Sequence, residues 1–363
     1  MTTSFWARRR VLITGHTGFK GSWLSLWLQQ LGAEVTGYAL APATSPALFT
    51  AARVADGMTS VLGDVRDREA LTATMQAAQP EVVFHLAAQP LVLASYEDPV
   101  GTYATNAMGT VHLLEAARHC PSVRAIVNVT TDKCYANQES PRGYQEDDRL
   151  GGHDPYSNSK ACAELITAAY REAFFSPARY ATHGVAIATA RAGNVIGGGD
   201  WAAHRLVPDL LTAFAAGETA IIRRPDAVRP WQHVLEPLHG YLQLAERLMQ
   251  DGPAWGEGWN FGPHEEATYP VHWIADRLAT HWGRAARWIA QPDPAAAHET
   301  SMLCLDSHKA RHRLGWQPRW SLDAALQQIV TWEQARGDGA DMQAMTFQQI
   351  EGYSAMQYQP LES

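Results

Sequence analysis

The sequence is poor in the features that mark secreted, membrane and metal-binding proteins. Four cysteines occur in 363 residues, at scattered positions, and no CxxC or Cys/His spacing suggests zinc. Disulfides are not expected, and a reducing, cytoplasmic setting fits this cysteine usage. No apolar run approaches the roughly 18 residues of a transmembrane helix. No HExxH pattern occurs among the 15 histidines, and we expect no metal site.

The chain also lacks the basic charge of a nucleic-acid-binding protein. Its formal net charge is -8, whereas nucleic-acid phosphates are bound by basic faces. We therefore expect partners other than nucleic acids. With 46% hydrophobic residues, the chain can bury the core of one large domain or of two coupled domains.

Short apolar segments alternate with helical patterns over the first half of the chain. The predicted strands are "VLIT" from Val11, "EVTGYAL" from Glu34, "TSVLGDV" from Thr59, "EVVFHLAA" from Glu81, "RAIVNVTT" from Arg124 and "VAIATARAGNV" from Val185. The segments between them have helical periodicity. This alternation predicts an α/β fold, with a Rossmann-type doubly wound parallel sheet.

The composition of the sequence changes from about residue 193, where the regular alternation of strands and helices ends. "GNVIGGGDW" and "RRPDAVRPWQ" are loops rich in Gly, Pro and Arg, and shorter helices lie between such loops. They predict a smaller C-terminal lobe beyond the carboxyl edge of the sheet, where ligands bind in such folds. We assign residues 1–192 and 232–262 to a dinucleotide-binding domain, and residues 193–231 and 263–363 to a substrate-binding lobe. The last 25 or so residues have mixed helix signals and no predicted place.

Three glycines separate the first predicted strand from the first helix, in "ITGHTGFKGSW". Gly15, Gly18 and Gly21 permit a tight turn and a close approach of backbone to a pyrophosphate. The following helix N-terminus offers free N–H groups and a positive dipole end. The pattern predicts a dinucleotide site that also includes Thr17 and Phe19, with a plain βα turn as the alternative.

One feature of an NAD site is missing. The second strand ends in "GYALAPATS", with no Asp or Glu to bind the ribose 2′-hydroxyl. No Arg follows at once to hold a 2′-phosphate. The residues themselves therefore leave the choice between NAD and NADP open.

A tyrosine and a lysine stand four residues apart in "PYSNSKACAE". On a helix, this spacing places Tyr156 and Lys160 on one face. An ammonium near a phenol favours the phenolate, and we expect it to lower the tyrosine pKa from ~10 toward neutrality. A phenolate can take a proton from a substrate hydroxyl while hydride leaves the carbon. The pair therefore predicts an active site, with a structural pair as the alternative.

An acid and a possible base follow the fifth strand, in "VNVTTDKCY". Asp132 and Lys133 come directly after Thr131. Placed in an active site, they suit the removal of water from a transient ketone. A salt-bridged surface loop is the alternative. Cys134 is predicted to be a packed apolar residue rather than a nucleophile.

These motifs together resemble the extended short-chain dehydrogenase/reductases. The GxxGxxG spacing, the YxxxK pair and the upstream Thr131 carry the resemblance. The resemblance implies a role for Thr131 beside Tyr156 and Lys160, both of which would also contact the cofactor. The further cofactor contacts that it implies are Asp64, Val65, Ala87 and Ala88. Asn106, in "TNAMGTVHLLE", is predicted to lie near the cofactor, with a role in fixing its own helix as the alternative.

Within that family, the chain is similar to the nucleotide-sugar 4,6-dehydratases. In "TTDKCY", Lys133 stands where the members that act on dTDP-glucose carry Glu. The resemblance implies CDP-glucose as substrate and NAD as cofactor, and it extends to "GHTGFKGSWL", "RAGNVIGGGDWA", "RPWQHVLEPLHGYL" and "WNFGP". In the implied mechanism, Tyr156 takes the proton of the sugar 4-hydroxyl as hydride leaves C4. Lys133 takes the C5 proton, and Asp132 protonates the departing 6-hydroxyl. Hydride then returns to C6.

The resemblance also implies substrate contacts and an assembly. The substrate contacts are Gln89, Asn194, Arg205 and Arg229, and guanidinium groups can hold phosphate oxygens in pairs. Trp201 and Trp231 could flank the base, with ordinary core aromatics as the alternative. A homodimer or higher homo-oligomer would pack through the helices that begin near Thr102 and Tyr156. The rival functions are another nucleotide-sugar dehydratase or 4-epimerase, and a non-catalytic dinucleotide-binding regulator.

Overall fold

Parallel strands form the framework of the protein. The computed structural model describes residues 3–138, 142–203, 205–263, 268–283, 286–291 and 303–356. The strands within them are β1 Arg10–Thr14, β2 Glu34–Ala39, β3 Thr59–Leu62, β4 Val82–His85, β5 Ala125–Val129, β6 Ala186–Ala192, β7 Val195–Ile196, β8 Thr219–Ile222, β9 Val228–Pro230, β10 Gln232–His233, β11 Gly258–Phe261, β12 Thr268–Pro270 and β13 Arg287–Ala290.

Helices connect these strands and cover the sheet. They are α1 Thr3–Trp6, α2 Phe19–Gln30, α3 Leu48–Ala51, α4 Arg68–Ala78, α5 Val92–Glu97, α6 Pro99–Tyr103, α7 Gly109–Arg118, α8 Pro155–Ala173, α9 Tyr180–His183, α10 Leu206–Ala215, α11 Leu235–Asp251, α12 Val271–Trp282, α13 Leu322–Gly337 and α14 Met342–Ala355. A π-helical turn, Ala104–Met108, joins α6 to α7. Among the described helices, none has both the length and the apolar character needed to cross a bilayer.

Seven strands form one parallel sheet in the order β11-β6-β5-β4-β1-β2-β3. The predicted doubly wound sheet is confirmed, and all six predicted strands belong to it. The sheet also contains β11, which the alternation had not shown as a strand. Because β1 lies between β2 and β4, the topology switches direction there, and a ligand crevice is expected at the carboxyl ends of these strands.

Both faces of the sheet are covered, which explains why its central strands read as continuous apolar runs. Every residue of β5 and β6 is buried. On one face, α2 and α11 contribute Trp23, Leu26, Leu238 and Leu242 to the core. On the other face, α4 and α7 contribute a second core. Helix α8 lies beside α7 and β6, so its position is set by the sheet.

The smaller lobe has a core of its own. Leu210 and Phe214 of α10 pack with Ile274 of α12 and Leu326 of α13. Two small sheets belong to this part, with β8 paired to β13 and β9 paired to β12. Strands β7 and β10 form a short parallel pair. It joins the segment that leads into the smaller lobe to the segment that leads back to the sheet. The domain boundaries given above stay predictions.

The C-terminal segment, which had no predicted place, contains α14 and packs against α2 and α13. The Tyr353 hydroxyl of α14 donates to Glu236 Oε2 of α11 at 2.5 Å. The same carboxylate accepts the backbone N–H groups of Arg319 and Trp320 at 2.9–3.1 Å. Burial raises the pKa of Glu236 to about 7, and these donors oppose that effect. One buried carboxyl group thus ties α14 to the sheet-covering helices.

Candidate active site

The three glycines form the turn between β1 and α2. Gly15 has φ +80°, and a Cβ there would lie 2.7 Å from the Ala87 backbone nitrogen. A Cβ on Gly21 would lie 2.1 Å from the Gly15 carbonyl oxygen, so α2 approaches the turn only because no side chain intervenes. Gly18 caps α2, and its N–H donates to the Gly15 carbonyl at 3.1 Å. This geometry leaves the first N–H groups of α2 for a pyrophosphate.

Two further residues of the motif fix the surroundings of the turn. The Thr17 hydroxyl donates to the Leu40 carbonyl at 2.8 Å, which connects the turn to the end of β2. Phe19 is partly buried against the core. A Cβ on Gly197, in the loop after β7, would lie 2.9 Å from the Phe19 ring. The first turn of α2 therefore touches the segment that enters the smaller lobe.

The far end of the crevice lies at β2 and β3. Arg66 donates to the Asp64 carboxylate at 2.5 and 2.8 Å and holds the pKa of Asp64 below its usual value. Val65 is buried. Strand β2 ends at Ala39 without a carboxylate, as the sequence indicated. The adenosine contacts implied for Asp64 and Val65 stay predictions, since the structure shows only where these residues lie.

The turn after β4 is held by Asn106. Its side-chain oxygen accepts the Gln89 N–H at 2.8 Å, and its amide donates to the Gln89 carbonyl at 3.1 Å and to Ser159 Oγ of α8 at 2.9 Å. Ala87 and Ala88 therefore lie in a turn with a fixed path. The Gln89 side chain itself donates to Thr102 Oγ1 at 2.9 Å. Asn106 thus positions the turn, while the substrate contact predicted for Gln89 stays a prediction.

Thr131, Tyr156 and Lys160 are brought together at the carboxyl end of β5. Asp154 caps α8, and Tyr156 and Lys160 follow on the buried face of the helix. Lys160 Nζ donates to the Val129 carbonyl at 3.2 Å. Thr131 lies close enough to Tyr156 to lower the pKa of its phenol. The three side chains predicted to act together are therefore neighbours.

Burial dominates the titration of this group. It raises the pKa of Tyr156 to about 12, against the opposing hydrogen bond from Thr131, and Asp132 adds to the rise. Burial also lowers the pKa of Lys160 to about 8, and Glu164 opposes this change. The expectation that Lys160 brings the tyrosine pKa toward neutrality is therefore wrong for the protein alone. Removal of the phenolate from water raises this pKa by more than Thr131 and Arg205, which oppose it, can lower it.

The acid of the Asp132–Lys133 pair is buried. Its side chain is 3% exposed against 37% for Lys133, and Lys133 Nζ lies 3.8 Å from Asp132 Oδ1. Thr131 Oγ1 donates to the same oxygen at 2.9 Å. A Cβ on Gly193 would lie 2.7 Å from Asp132 Oδ2, so the loop after β6 leaves room for this carboxylate. A salt-bridged surface loop does not describe this arrangement, because the acid points into the protein.

The predicted substrate residues of the smaller lobe are spread over three segments. Asn194 lies between β6 and β7, and its carbonyl accepts the Gln232 N–H at 3.1 Å. Arg205 Nη1 binds Asp200 Oδ2 at 2.8 Å just before α10. Arg229 lies on β9, where Nη1 donates to the Val228 carbonyl at 3.0 Å. Their contacts with a substrate stay predictions.

The two tryptophans predicted as flanks for a base are both engaged in packing. The Trp201 ring lies 5.8 Å from the Trp332 ring, and the Arg336 guanidinium lies over it. Trp231 packs against the core of the smaller lobe. These contacts favour the alternative that Trp201 and Trp231 are structural aromatics.

A buried ion pair behind the catalytic helix was not recognised in the sequence. Arg191 Nη2 of β6 binds Glu164 Oε2 of α8 at 2.8 Å, and both side chains are buried. Thr189 donates to the same carboxylate at 2.6 Å, and Thr130 donates to its other oxygen. The signal available in the sequence was the position of Glu164, one helical turn after Lys160, and an arginine inside a predicted buried strand.

The glycine turn, the parallel sheet and the Thr131–Tyr156–Lys160 group define a dinucleotide-binding protein of the short-chain dehydrogenase/reductase type. A family model described as GDP-mannose 4,6 dehydratase matches residues 12–329, and the chain belongs to this family. It is 52% identical over 350 residues to a CDP-glucose 4,6-dehydratase from Salmonella typhimurium, with 96% of this chain and 97% of that protein covered. A dTDP-glucose 4,6-dehydratase from Xanthomonas campestris is 26% identical, with 88% and 92% covered.

Solved structures share the fold. A dTDP-glucose 4,6-dehydratase from Bacillus anthracis in complex with NAD matches with a TM-score of 0.75 and 21% identity, over 92% of this chain and 98% of that one. A UDP-glucose 4-epimerase from Stenotrophomonas maltophila with bound NAD matches with a TM-score of 0.77 and 21% identity, over 92% and 100%. At this identity the two matches support the fold alone.

The contact between Gly193 and Asp132 leads to a first prediction. Gly193→Ala should displace the Asp132 carboxylate, because the new Cβ would lie 2.7 Å from Oδ2. Misplacement of a reacting group by about 1 Å can cost roughly 100-fold in rate, and we expect dehydratase turnover to fall about 10- to 100-fold. Thermal unfolding should change little, since only the end of one side chain has to move.

The matched control is Gly337→Ala at the end of α13, where an added Cβ meets nothing within 4 Å. That variant should keep full turnover. Wild-type turnover in Gly193→Ala, measured with a saturating nucleotide sugar, would show that the position of Asp132 does not matter.

Proposed function

We propose that this protein converts CDP-glucose to CDP-4-keto-6-deoxyglucose and water with a tightly held NAD. The observation that carries this proposal is the 52% identity, over nearly the whole of both chains, with a CDP-glucose 4,6-dehydratase. The buried Asp132 beside Lys133 gives the same reaction a physical basis. The product is a precursor for deoxysugar synthesis, such as that of lipopolysaccharide O-antigen, and we place the enzyme in the cytoplasm.

The residues around the glycine turn fit NAD. A side chain at Gly15 or Gly21 would fill the space between the turn and α2 and push the helix away from the crevice. The end of β2 offers no carboxylate for the ribose, so recognition of the cofactor rests on the turn, Asn106 and the catalytic helix. NAD held there would supply the hydride acceptor for C4 of the sugar and the hydride donor for C6.

The side chains of this protein move the protons of the reaction. Tyr156, as the phenolate, takes the proton of the 4-hydroxyl and becomes neutral, while the C4–O bond becomes a carbonyl as hydride leaves C4; Thr131 acts on the same phenol and favours its ionised form beforehand. The resulting ketone acidifies the C5 hydrogen, which Lys133 removes. Asp132 gives a proton to the 6-hydroxyl as it leaves. Because Asp132 and Lys133 are 3.8 Å apart, one proton can be shared between them between steps.

Because the pKa of Tyr156 is high, binding of substrate and cofactor must lower it before the phenol can act as a base. At about 12, the phenol does not ionise near neutral pH in the protein alone. Lys160, with a pKa of about 8, is mostly protonated at neutral pH and provides one positive charge nearby. The nicotinamide cation supplies a second. Two cations in a desolvated site favour the phenolate much more strongly than one ammonium near water.

The rival functions fit the site less well. A 4-epimerase has no water to eliminate, and the buried Asp132 beside Lys133 would have no step to perform. A non-catalytic regulator would have no use for Thr131, Tyr156 and Lys160 at one point of the crevice. Another nucleotide-sugar dehydratase would differ from the proposed enzyme in the nucleotide base of its substrate. A comparison of substrates distinguishes the two.

We propose in addition that the protein is a homodimer. Large apolar side chains are exposed on neighbouring segments: Leu93 and Tyr96 on α5, Val100 on α6, Met108 on the π-helical turn, and Leu165 and Phe174 at α8. Helix α8 contacts α5, α6 and the π-helical turn, so the segments that carry these side chains are neighbours. A patch of this kind marks an interaction surface, and a second copy of the same face would cover it symmetrically.

The nucleotide base is the subject of the second prediction. With purified enzyme and NAD, kcat/KM should be at least about 100-fold higher for CDP-glucose than for dTDP-glucose, UDP-glucose or GDP-mannose, because a site that binds one base by hydrogen bonds leaves polar groups unpaired with another. The 4-keto-6-deoxy product is followed by its absorbance in base. An equal or higher kcat/KM with dTDP-glucose would make this a dehydratase of the neighbouring specificity.

The third prediction separates elimination from oxidation. Lys133→Met keeps most of the side-chain stem and removes the amine, so loss of the general base should slow dehydration by about 10²–10⁴-fold. Oxidation at C4 depends on Tyr156 and Lys160, and the bound cofactor should still be reduced in a single turnover. Tyr156→Phe should abolish that reduction.

Exchange of the C5 hydrogen with deuterated water reports the Lys133 step directly. Lys309→Met is the control, because Lys309 pairs with Glu257 outside the site and its loss should leave exchange unchanged. Wild-type exchange and dehydration in Lys133→Met would show that Lys133 is not the base.

The fourth prediction concerns assembly. Wild-type protein should have the mass of at least a dimer by light scattering at micromolar concentration. Val100→Glu combined with Leu165→Glu should give a monomer, because two charges would be buried without partners at the interface. Ile221→Glu, which also replaces an exposed apolar residue but on β8 of the smaller lobe, should keep the wild-type mass. A monomeric wild-type protein would refute the proposed dimer.

A further inference from the structure

Lysine is scarce in this chain, and its placement is uneven. Four lysines stand among 29 basic residues, and arginine supplies the rest. Lys133 and Lys160 belong to the catalytic group described above. Lys309 binds Glu257 at 2.6 Å and donates to the Gly258 carbonyl. Lys20 has no such explanation, although it lies inside the glycine motif.

Lys20 occupies the junction between the dinucleotide turn and the smaller lobe. It is the second residue of α2, between Phe19 and Gly21. Phe19 contacts the loop at Gly197, and Gly21 closes against Gly15, so the backbone on both sides of Lys20 is fixed. Lys20 is partly buried. It makes no hydrogen bond or ion pair with the residues that the structure describes.

The charges around Lys20 are mostly of its own sign. Arg205 of the smaller lobe, Lys160 and Lys133 repel its ammonium, whereas Asp132 attracts it. Asp132 is already bound by Thr131 and lies 3.8 Å from Lys133. Burial first, and then Arg205, lower the pKa of Lys20 to about 7. A partly buried ammonium among three cations is unfavourable unless an anion joins it.

We propose that the Lys20 ammonium binds a phosphate oxygen of a diphosphate ligand where the first turn of α2 meets the loop at Gly197. This inference rests on the proposed function, which supplies two such ligands, the cofactor and the nucleotide sugar. Both carry a diphosphate, and the chemistry of recognition is the same for either. An anion at this point neutralises the repulsion among Lys20, Arg205 and Lys160, and it accepts charge-assisted hydrogen bonds from the ammonium.

A lysine suits this position better than the arginine that the chain uses elsewhere. The ammonium is a compact point charge that fits beside a closed backbone turn, and it can lose its proton when no anion is bound. Binding an anion raises the pKa of Lys20 above its free value of about 7. The complex therefore takes up a proton when it forms slightly above neutral pH. The contribution of Lys20 to affinity is full below the free pKa and is lost as pH rises through the pKa of the complex.

The test compares Lys20→Met, Lys20→Arg and the control Arg247→Met, which removes a cation from an exposed pair at the far end of α11. Binding of NAD, of CDP and of cytidine is measured separately by calorimetry with the full-length protein. At about pH 6.5, Lys20→Met should weaken the binding of NAD or CDP by about 10- to 100-fold. Lys20→Arg should stay within about threefold of wild type, since it keeps the charge.

The ligand that weakens identifies the diphosphate. Loss of CDP affinity with unchanged NAD affinity assigns Lys20 to the nucleotide sugar, and the reverse result assigns it to the cofactor. Cytidine, which has no phosphate, should bind all variants equally. The advantage of wild type over Lys20→Met should shrink as pH is raised to about 9, and titrations in two buffers of different ionisation enthalpy should show proton uptake in wild type alone.

Unchanged NAD and CDP affinities in Lys20→Met, with wild type binding both, would overturn the role of Lys20 and leave the proposed function standing. A wild-type protein that binds neither ligand would overturn the proposed function and the inference with it. A loss that is equal at pH 6.5 and 9 would identify Lys20 as a packing residue and would also overturn the inference.

Discussion

The buried ion pair between Glu164 and Arg191 holds α8, the helix that carries Tyr156 and Lys160, against the sheet. Burial alone would raise the pKa of Glu164, but Arg191 and the hydroxyls of Thr130 and Thr189 hold it below its usual value. The carboxylate is thus kept ionised in the interior and connects α8 to both β5 and β6. Tyr156 lies two turns and Lys160 one turn before Glu164 on α8. The Glu164–Arg191 ion pair therefore also fixes the position of these two side chains relative to the sheet. Removing one member of such a buried pair typically costs about 3–5 kcal/mol.

The electrostatics of the crevice differ from those of the whole chain. The net charge is -8, yet Lys160, Lys133 and the smaller lobe's Arg205 all repel the ammonium of Lys20. Asp132 opposes them from a buried position beside Thr131. An overall acidic protein thus has a locally cationic crevice, which favours the diphosphate ligands of the proposed function, since a cleft focuses the field of the charges that line it.

Local patterns predicted much of this molecule, and long-range contacts supplied the rest. The six strands and the glycine turn were predictable because apolar runs and glycine spacing are properties of neighbouring residues. Strand β11 was not, because its four residues become a strand only by pairing with β6 at the edge of the sheet. The position of α14 depends on Tyr353 meeting Glu236, which lies 117 residues earlier. The pKa of Tyr156 was misjudged for the same reason, since spacing shows its lysine neighbour and conceals its burial.

The backbone of the fold does not decide between epimerisation and dehydration. A dehydratase and an epimerase match this chain with TM-scores of 0.75 and 0.77 at the same identity of 21%. We infer that the difference lies in side chains, and that Thr131, Tyr156 and Lys160 serve the oxidation at C4 in the proposed reaction and not the elimination. What remains is the short segment after β5, where Lys133 reaches the buried Asp132 from the solvent side. Gly193, in the loop after β6, leaves room for the Asp132 carboxylate. In the proposed function, elimination therefore depends on these two adjacent residues and on the lack of a side chain at Gly193 opposite them.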